Sequence, residues 1–278
     1  MNATAAPFYS LSELLNLGGK TALVTGGAMG IGQAIALRLA TAGAHVAICD
    51  LDEKGAIETA VEIGKGGGSA EARRMDVADA AAVTETIEKL AETRGGIDIL
   101  VNNAGIYPMC PFLKSDDALW QKTLEVNLLG AVRCTRAVLP HMQKSAASGR
   151  GGAIVNVASI DGFRPSAPYL THYGSSKAAL MSMTKSLAWE LRGQGIRVNG
   201  IAPGAIKTPG TAALMPIPKD DKEREKLESM ERAFVGRIAL KRRGQPDDVA
   251  RVVLFLASPL SEYMTGEILV VDGGYLLS

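Results

Sequence analysis

Seven short runs, most of them apolar and rich in β-branched residues, recur along this 278-residue chain, at 20–25, 45–50, 70–75, 97–101, 153–158, 196–201 and 268–271. Stretches with helical patterning separate them, at 31–42, 52–63, 80–93, 119–143, 173–191 and 247–257. Runs of this kind need a sheet covered on both faces, and connections of a dozen or more residues let neighbouring strands run parallel. The alternation therefore predicts an α/β fold: a doubly wound, seven-stranded parallel sheet with helices on both faces, built as a single domain. That domain is expected over 20–278, preceded by an N-terminal extension at 1–19, and a hydrophobic content of 47% can fill one large core.

Two segments interrupt the alternation. Residues 145–152 are small and Gly-rich and read as a surface loop between a long helix and its strand. Residues 208–243 open with Pro209, Pro216 and Pro218 and continue into a charged helical run at 219–234, a makeup suited to a mobile flap over a substrate.

Composition excludes several classes of function. Thirty basic against twenty-nine acidic residues leave a formal charge of +1, so neither nucleic acid nor an anionic membrane is an expected partner. Cys49, Cys110 and Cys134 are odd in number and share no short ligand spacing, which argues against a disulfide framework and a thiolate metal site. His45, His141 and His172 are equally scattered, so no metal is expected. Residues 1–19 lack a basic region followed by an apolar one, and no run of about eighteen uncharged apolar residues occurs. A cytoplasmic protein without a membrane span is the expectation.

The first run ends in Thr25-Gly26-Gly27-Ala28-Met29-Gly30-Ile31-Gly32 and leads directly into a helical stretch. Glycines permit a tight turn and close backbone approach, and the free N–H groups of a helix start offer partial positive charge to a pyrophosphate. The second run closes with Asp50, about twenty residues on, where a carboxylate can accept both adenosine ribose hydroxyls and repels a 2′-phosphate. Met29 and Leu51 stand where a phosphorylated ribose would need a cation, so NAD is expected in preference to NADP.

Tyr173 and Lys177 are one helical turn apart on one face. A phenol with a pKa of about 10 is a poor base at neutral pH, and an adjacent ammonium would stabilise its phenolate. Ser159 closes the fifth run, at the carboxyl edge where doubly wound sheets bind ligands, and can hold a substrate oxygen. Tyr169, with Tyr173 rather than a lysine four residues later, does not fit the pair.

The glycine spacing, Asn102-Asn103-Ala104-Gly105 and Tyr173-Gly174-Ser175-Ser176-Lys177 together resemble the short-chain dehydrogenase/reductase family, as an NAD-preferring member, over residues 20–274. The resemblance implies a Rossmann-like fold and hydride transfer between NAD and a secondary alcohol or ketone, with a cyclic alcohol, a sugar or polyol, or a 3-oxoacyl chain as substrate. It implies Asn127 as holder of a water in a proton relay, beside Ser159, Tyr173 and Lys177. It implies cofactor contacts at Gly26, Met29, Gly30, Ile31, Gly32, Asp50 and Leu51, and at Asp76 and Val77 against the adenine. Further contacts are implied at Asn103, Ala104 and Gly105, and around the nicotinamide at Tyr173, Lys177, Pro203, Gly204, Ile206 and Thr208. It further implies a homotetramer built through the two long central helices and the last strand, with the apolar tail 275–277 contributing.

Ser159 and Tyr173 are fourteen residues apart, one more than the family's usual interval, and Pro165 and Pro168 suggest a stiff bulged loop over the pocket. His172 either lines the pocket or faces solvent at a helix start, and Cys110 is expected to be a buried inert thiol. Two rivals stand beside the dehydrogenase: a catalytically silent dinucleotide-binding sensor or scaffold, and a methyltransferase using the glycines for another adenosine ligand. Neither explains Ser159, Tyr173 and Lys177.

Overall fold

The computed structural model describes residues 9–147, 149, 151–213 and 218–278. Its seven strands are β1 (Thr21–Thr25), β2 (His45–Asp50), β3 (Ser69–Arg74), β4 (Ile99–Asn102), β5 (Gly152–Val157), β6 (Ile196–Pro203) and β7 (Ile268–Val271). They form one parallel sheet in the order β3-β2-β1-β4-β5-β6-β7. Winding runs outward from β1 to β3 and then returns to place β4 on the other side of β1. That reversal opens a crevice at the carboxyl ends of β1 and β4, the place where doubly wound sheets take ligands.

The helices described are α1 (Leu11–Leu14), α2 (Gly30–Thr41), α3 (Glu53–Lys65), α4 (Ala80–Arg94), α5 (Asp117–Leu124), α6 (Gly130–Ala147), α7 (Thr171–Glu190), α8 (Pro209–Ala213), α9 (Asp221–Arg237) and α10 (Pro246–Ala257). Strand residues alternate between two cores: Ala22, Val24, Val46 and Ile48 pack with Ile35, Leu39, Val249 and Val253 of α2 and α10, whereas Leu23, Ala47 and Leu100 pack with Ile87, Leu90, Cys134 and Val138 of α4 and α6. Both faces of the central strands are thus dry, which is why most strands read as apolar runs, whereas the edge strand β3 leaves Ser69, Arg73 and Arg74 exposed.

Several expected boundaries are corrected. The helix expected at 119–143 starts at Asp117, where the Asp116 side chain accepts the Leu119 N–H at 2.9 Å, and is interrupted by a π-helical turn at Glu125–Leu129. The loop expected at 145–152 is shorter, because α6 continues to Ala147 and β5 begins at Gly152; residues 148 and 150 lie outside the described residues. The third strand ends at Arg74 rather than at 75, the fourth is Ile99–Asn102 rather than 97–101, and the sixth extends to Pro203. Within the 1–19 extension, residues 1–8 are outside the described set, while Leu17 is buried against the first core.

The flap segment 208–243 is not uniform. Its residues 214–217, Pro216 among them, lie outside the described set. The charged run expected at 219–234 is α9, which buries none of its residues, yet beyond it Ile238 is buried in a third small cluster with Ile160, Met181 and Tyr275. Arg243 forks onto Glu231 at 2.6 Å through both Nε and Nη2. The far end of the segment is therefore fastened to the domain rather than free.

Candidate active site

The glycine turn after β1 is held by the segment after β4. The Thr25 hydroxyl accepts the N–H groups of Asn103 and Ala104 at 3.0 and 3.1 Å, and Asn103 Nδ2 donates to the carbonyls of Thr25 and Gly26 at 3.0 and 2.8 Å. Gly26 has φ +65°, and a Cβ there would lie 2.8 Å from Ala104 Cα. At Gly32 a Cβ would lie 2.0 Å from the Gly26 carbonyl oxygen, so only glycine lets α2 start this close to the turn. The helix begins after Met29, whose side chain makes no cap hydrogen bond, leaving the N–H groups of the Gly30, Ile31 and Gly32 turn aimed at the crevice. This uncapped, side-chain-free cradle is what a pyrophosphate requires.

Asp50 ends β2 beside the cradle, with Oδ2 accepting the Ala28 N–H at 2.9 Å and Oδ1 the Asp52 N–H at 3.0 Å. Met29 and Leu51 are exposed. Asp76 accepts the Ala78 N–H at 2.9 Å, and Val77 is buried under Gly130, where a Cβ would come within 2.8 Å of it. On the opposite side Thr208 lies over Gly30, 3.3 Å from where a Cβ would sit, and it exchanges hydrogen bonds with Thr211 at the start of α8. Gly204 follows Pro203 against Asp272, and Ile206, buried, forms a parallel bridge with Gly244.

Ser159, Tyr173, Lys177 and Asn127 converge at the carboxyl end of β5. Lys177 Nζ donates to the Val157 carbonyl at 2.8 Å and lies 5.8 Å from the Tyr173 ring centroid. Gly105 completes this corner: a Cβ on it would stand 3.4 Å from Lys177 Nζ and 3.3 Å from Asn127 Oδ1. Asn127, in the π turn, accepts the Ile106 N–H at 2.8 Å and donates to the Ile106 carbonyl at 2.9 Å and the Ser176 hydroxyl at 3.0 Å. Both of its amide protons are thus committed to protein groups, and its oxygen keeps one lone pair beyond the Ile106 N–H.

Burial dominates the electrostatics of this corner. Burial pushes the Tyr173 phenol well above its ordinary range, opposed by the Ser159 hydroxyl beside it and reinforced by Asp161 and Tyr107. Burial also pushes Lys177 down to about 8. Desolvation is the largest cause of both shifts, disfavouring the phenolate and the ammonium alike.

Segments 106–113 and 160–170 lie beside these groups. Tyr107 packs edge-on against Tyr173, with ring centroids 5.9 Å apart, and its hydroxyl reaches Gly210 of α8, where a Cβ would lie 2.2 Å from it. His172 neither lines the pocket nor faces solvent. It is buried, bonds the Pro108 carbonyl through Nε2 at 2.8 Å and packs edge-on against Trp120, tying one wall to the start of α7. Cys110 is only half-buried, contrary to the expected inert core thiol, and its N–H donates to the Tyr169 carbonyl at 2.9 Å. Tyr169 itself holds a left-handed φ of +69°. Sequence reasoning missed Thr25, for which a polar residue closing an apolar strand was the available signal, and it reached Tyr107, Asp161 and Ser166 only as members of 106–112 and 160–168, segments expected to form the pocket without individual roles.

A glycine cradle at the switch point of a parallel sheet defines a dinucleotide-binding α/β protein. A family model described as enoyl-(acyl carrier protein) reductase matches residues 26–276. The chain is 39% identical over 264 residues to the 3-oxoacyl-(acyl-carrier-protein) reductase FabG of Thermotoga maritima, covering 95% of this chain and 100% of the relative. It is 40% identical over 264 residues to the L-rhamnose 1-dehydrogenase (NAD(P)(+)) of Azotobacter vinelandii, covering 93% and 97%. A solved 7α-hydroxysteroid dehydrogenase complexed with NADH and 7-oxoglycochenodeoxycholic acid superposes with a TM-score of 0.86 at 34% identity, covering 96% of this chain and 98% of that one. The chain belongs to the short-chain dehydrogenase/reductase family, oxidoreductases that move a hydride between a nicotinamide dinucleotide and an alcohol or ketone.

Proposed function

We propose that this protein oxidises a secondary alcohol reversibly with NAD, using Tyr173 as the base. The observation that carries the reading is the meeting of the Tyr173 phenol, the Ser159 hydroxyl and the Lys177 ammonium beside the glycine cradle. Tyr173 takes the hydroxyl proton, Ser159 holds the same oxygen, and Lys177 offsets charge on the phenolate. Asn127 fixes the Ile106 backbone and Ser176 so that α7 presents these groups to one point. The nicotinamide, when bound, accepts the hydride. In this reading Asn103, Ala104, Gly105, Gly204, Ile206 and Thr208 are the residues that would hold it.

NAD is favoured by the Asp50 carboxylate and by exposed apolar Met29 and Leu51 in place of cations. A second reading, NADP, draws on Arg74, an exposed cation paired in register with Asp50 across β2 and β3. The pocket walls expose Met109, Phe112, Leu113, Phe163 and Tyr169, which favours a cyclic alcohol or an acyl chain over a sugar. Assembly as a cytoplasmic homotetramer through α6, α7 and β7 is supported by the exposed Trp189 and Val270 and by free cysteines. Of the tail, Tyr275 is buried within its own chain and the exposed Leu277 is left to contribute.

The test is a panel of cyclohexanol, ethyl 3-hydroxybutyrate and L-rhamnose with NAD and with NADP, followed by NADH absorbance. Turnover with NAD on an apolar substrate is expected, and Tyr173→Phe should bind NADH like the wild type while losing turnover about a thousandfold. Undiminished turnover in that variant removes Tyr173 as the base.

A further inference from the structure

Tyr107 stands beside the reacting groups without a part in the scheme above, and its place is fixed on both sides in sequence. Ile106, before it, has its N–H and its carbonyl both bonded to the Asn127 amide, at 2.8 and 2.9 Å. Pro108, after it, has its carbonyl accepting from His172 Nε2 at 2.8 Å. With a tethered residue on either side the Tyr107 backbone cannot slide along the site, and its ring meets the Tyr173 ring edge-on, centroids 5.9 Å apart, in van der Waals contact.

From that contact the phenol reaches across to the flap. A Cβ on Gly210, in the first turn of α8, would lie 2.2 Å from the Tyr107 hydroxyl oxygen and 3.4 Å from the ring carbon that bears it. Only a residue without a side chain leaves the phenol this room. The far end of the contact is anchored too. The Thr208 N–H donates to the Thr211 hydroxyl at 2.9 Å, the Thr211 N–H donates back to Thr208 Oγ1 at 3.0 Å, and the Thr211 hydroxyl donates to the Ile206 carbonyl at 3.1 Å. Tyr107 is therefore a rigid bar laid from the base to the start of the flap, held at both ends.

We propose that Tyr107 limits the size of one substituent on the carbinol carbon, so that the preferred substrate is a methyl carbinol, an alcohol with one arm no longer than a methyl group. The proposal rests on Tyr173 and Ser159 holding the reacting oxygen as described above, which brings the carbinol carbon beside the Tyr107 ring. The limit is steric. A ring in contact with fixed neighbours on two sides has no free volume to yield, and each methylene forced against it must displace Tyr173 or α8. Chemistry at the carbinol is the same for every arm length; only the arm that lies towards α8 is counted.

The test is a series with one constant pentyl arm: 2-heptanol, 3-octanol and 4-nonanol, whose other arm is methyl, ethyl and propyl, each oxidised with NAD and with NADP. Wild-type kcat/KM should fall by about tenfold or more from 2-heptanol to 4-nonanol, and Tyr107→Ala should raise the ratio of 4-nonanol to 2-heptanol by about tenfold or more. Tyr107→Phe keeps the ring and should keep the wild-type ranking. Gly210→Ala, which drives a methyl group into the phenol oxygen, should lower kcat/KM on 2-heptanol about threefold or more, and should cost less in a Y107F background where that oxygen is gone. A ratio that does not rise in Y107A overturns the proposal, and so does a Y107F ratio equal to that of Y107A, because the hydroxyl and not the ring would then decide. An equal cost of G210A in both backgrounds overturns the bridge on which the proposal stands. Wild type without a preference in the series, or active on the panel above and not on 2-heptanol, overturns this proposal alone; wild type silent on the series and the panel overturns the dehydrogenase reading, and this one with it. If Y107A melts far below the wild type, Y107L, whose side chain falls short of α8, is read by the same ratio.

Discussion

Burial holds Lys177 at about 8 against an ordinary value of 10.5, and this has a measurable sign. Below pH 8 both folded and unfolded chains carry the proton, so the full cost of burying the ammonium is present, on the order of 3 kcal/mol. Between pH 8 and 10.5 the unfolded state binds more protons, and stability contributed by this group rises with pH. Tyr173 and the buried Cys49 and Cys134, all pushed upward, act in the opposite sense at alkaline pH, so the comparison is made with Lys177→Met, in which they cancel. Wild type should gain on K177M from about pH 8 to 10 in urea denaturation; a constant difference means that the ammonium is not desolvated. Tyr173 and Lys177 were legible because a helix fixes what four residues of spacing mean. Asp161 was not, because its partners Ser159 and Ser166 are joined only by the path of an irregular loop, and loop paths have no period to read.

At the scale of elements, the cradle depends on glycines that are not interchangeable with others in the chain. Gly32→Ala would drive a methyl group to within 2.0 Å of one fixed carbonyl and 2.5 Å of the Asn103 amide. It should cost about 1–3 kcal/mol of stability and weaken NADH binding at least tenfold, read by thermal melting and nicotinamide fluorescence. Gly64→Ala, inside α3 with nothing within 4 Å of the new methyl, should stabilise by about 0.5–1 kcal/mol and leave binding alone. Normal NADH affinity in G32A would remove the cradle from the cofactor site. All seven strands were legible, the central ones because a sheet dry on both faces leaves continuous apolar runs, and the exposed, charged β3 because of its place in the alternation. The break between α5 and α6 was not, because a π turn keeps the composition of the helix around it and shows itself only through the inward Asn127.

For the whole molecule, tetramer formation predicts a species of four chains in sedimentation, and charged replacements at the exposed Val270 of β7 or Trp189 of α7 should reduce it to smaller assemblies. A single-chain wild type, or a tetramer indifferent to both changes, would remove that assembly. The sheet order was not readable from patterning alone, which counts strands without placing them; the structure puts β1 at a central position. That position governs how the chain is made. β1 is bonded to β2 on one side and to β4 on the other, and the Thr21 N–H reaches forward to Asp98 at 2.8 Å. Until the ribosome has delivered β4, Thr21–Thr25 has one neighbour and a bare backbone rim facing water. The central strand of the finished enzyme is thus the adhesive edge of its half-made precursor, and the nascent chain must be shielded until β4 arrives.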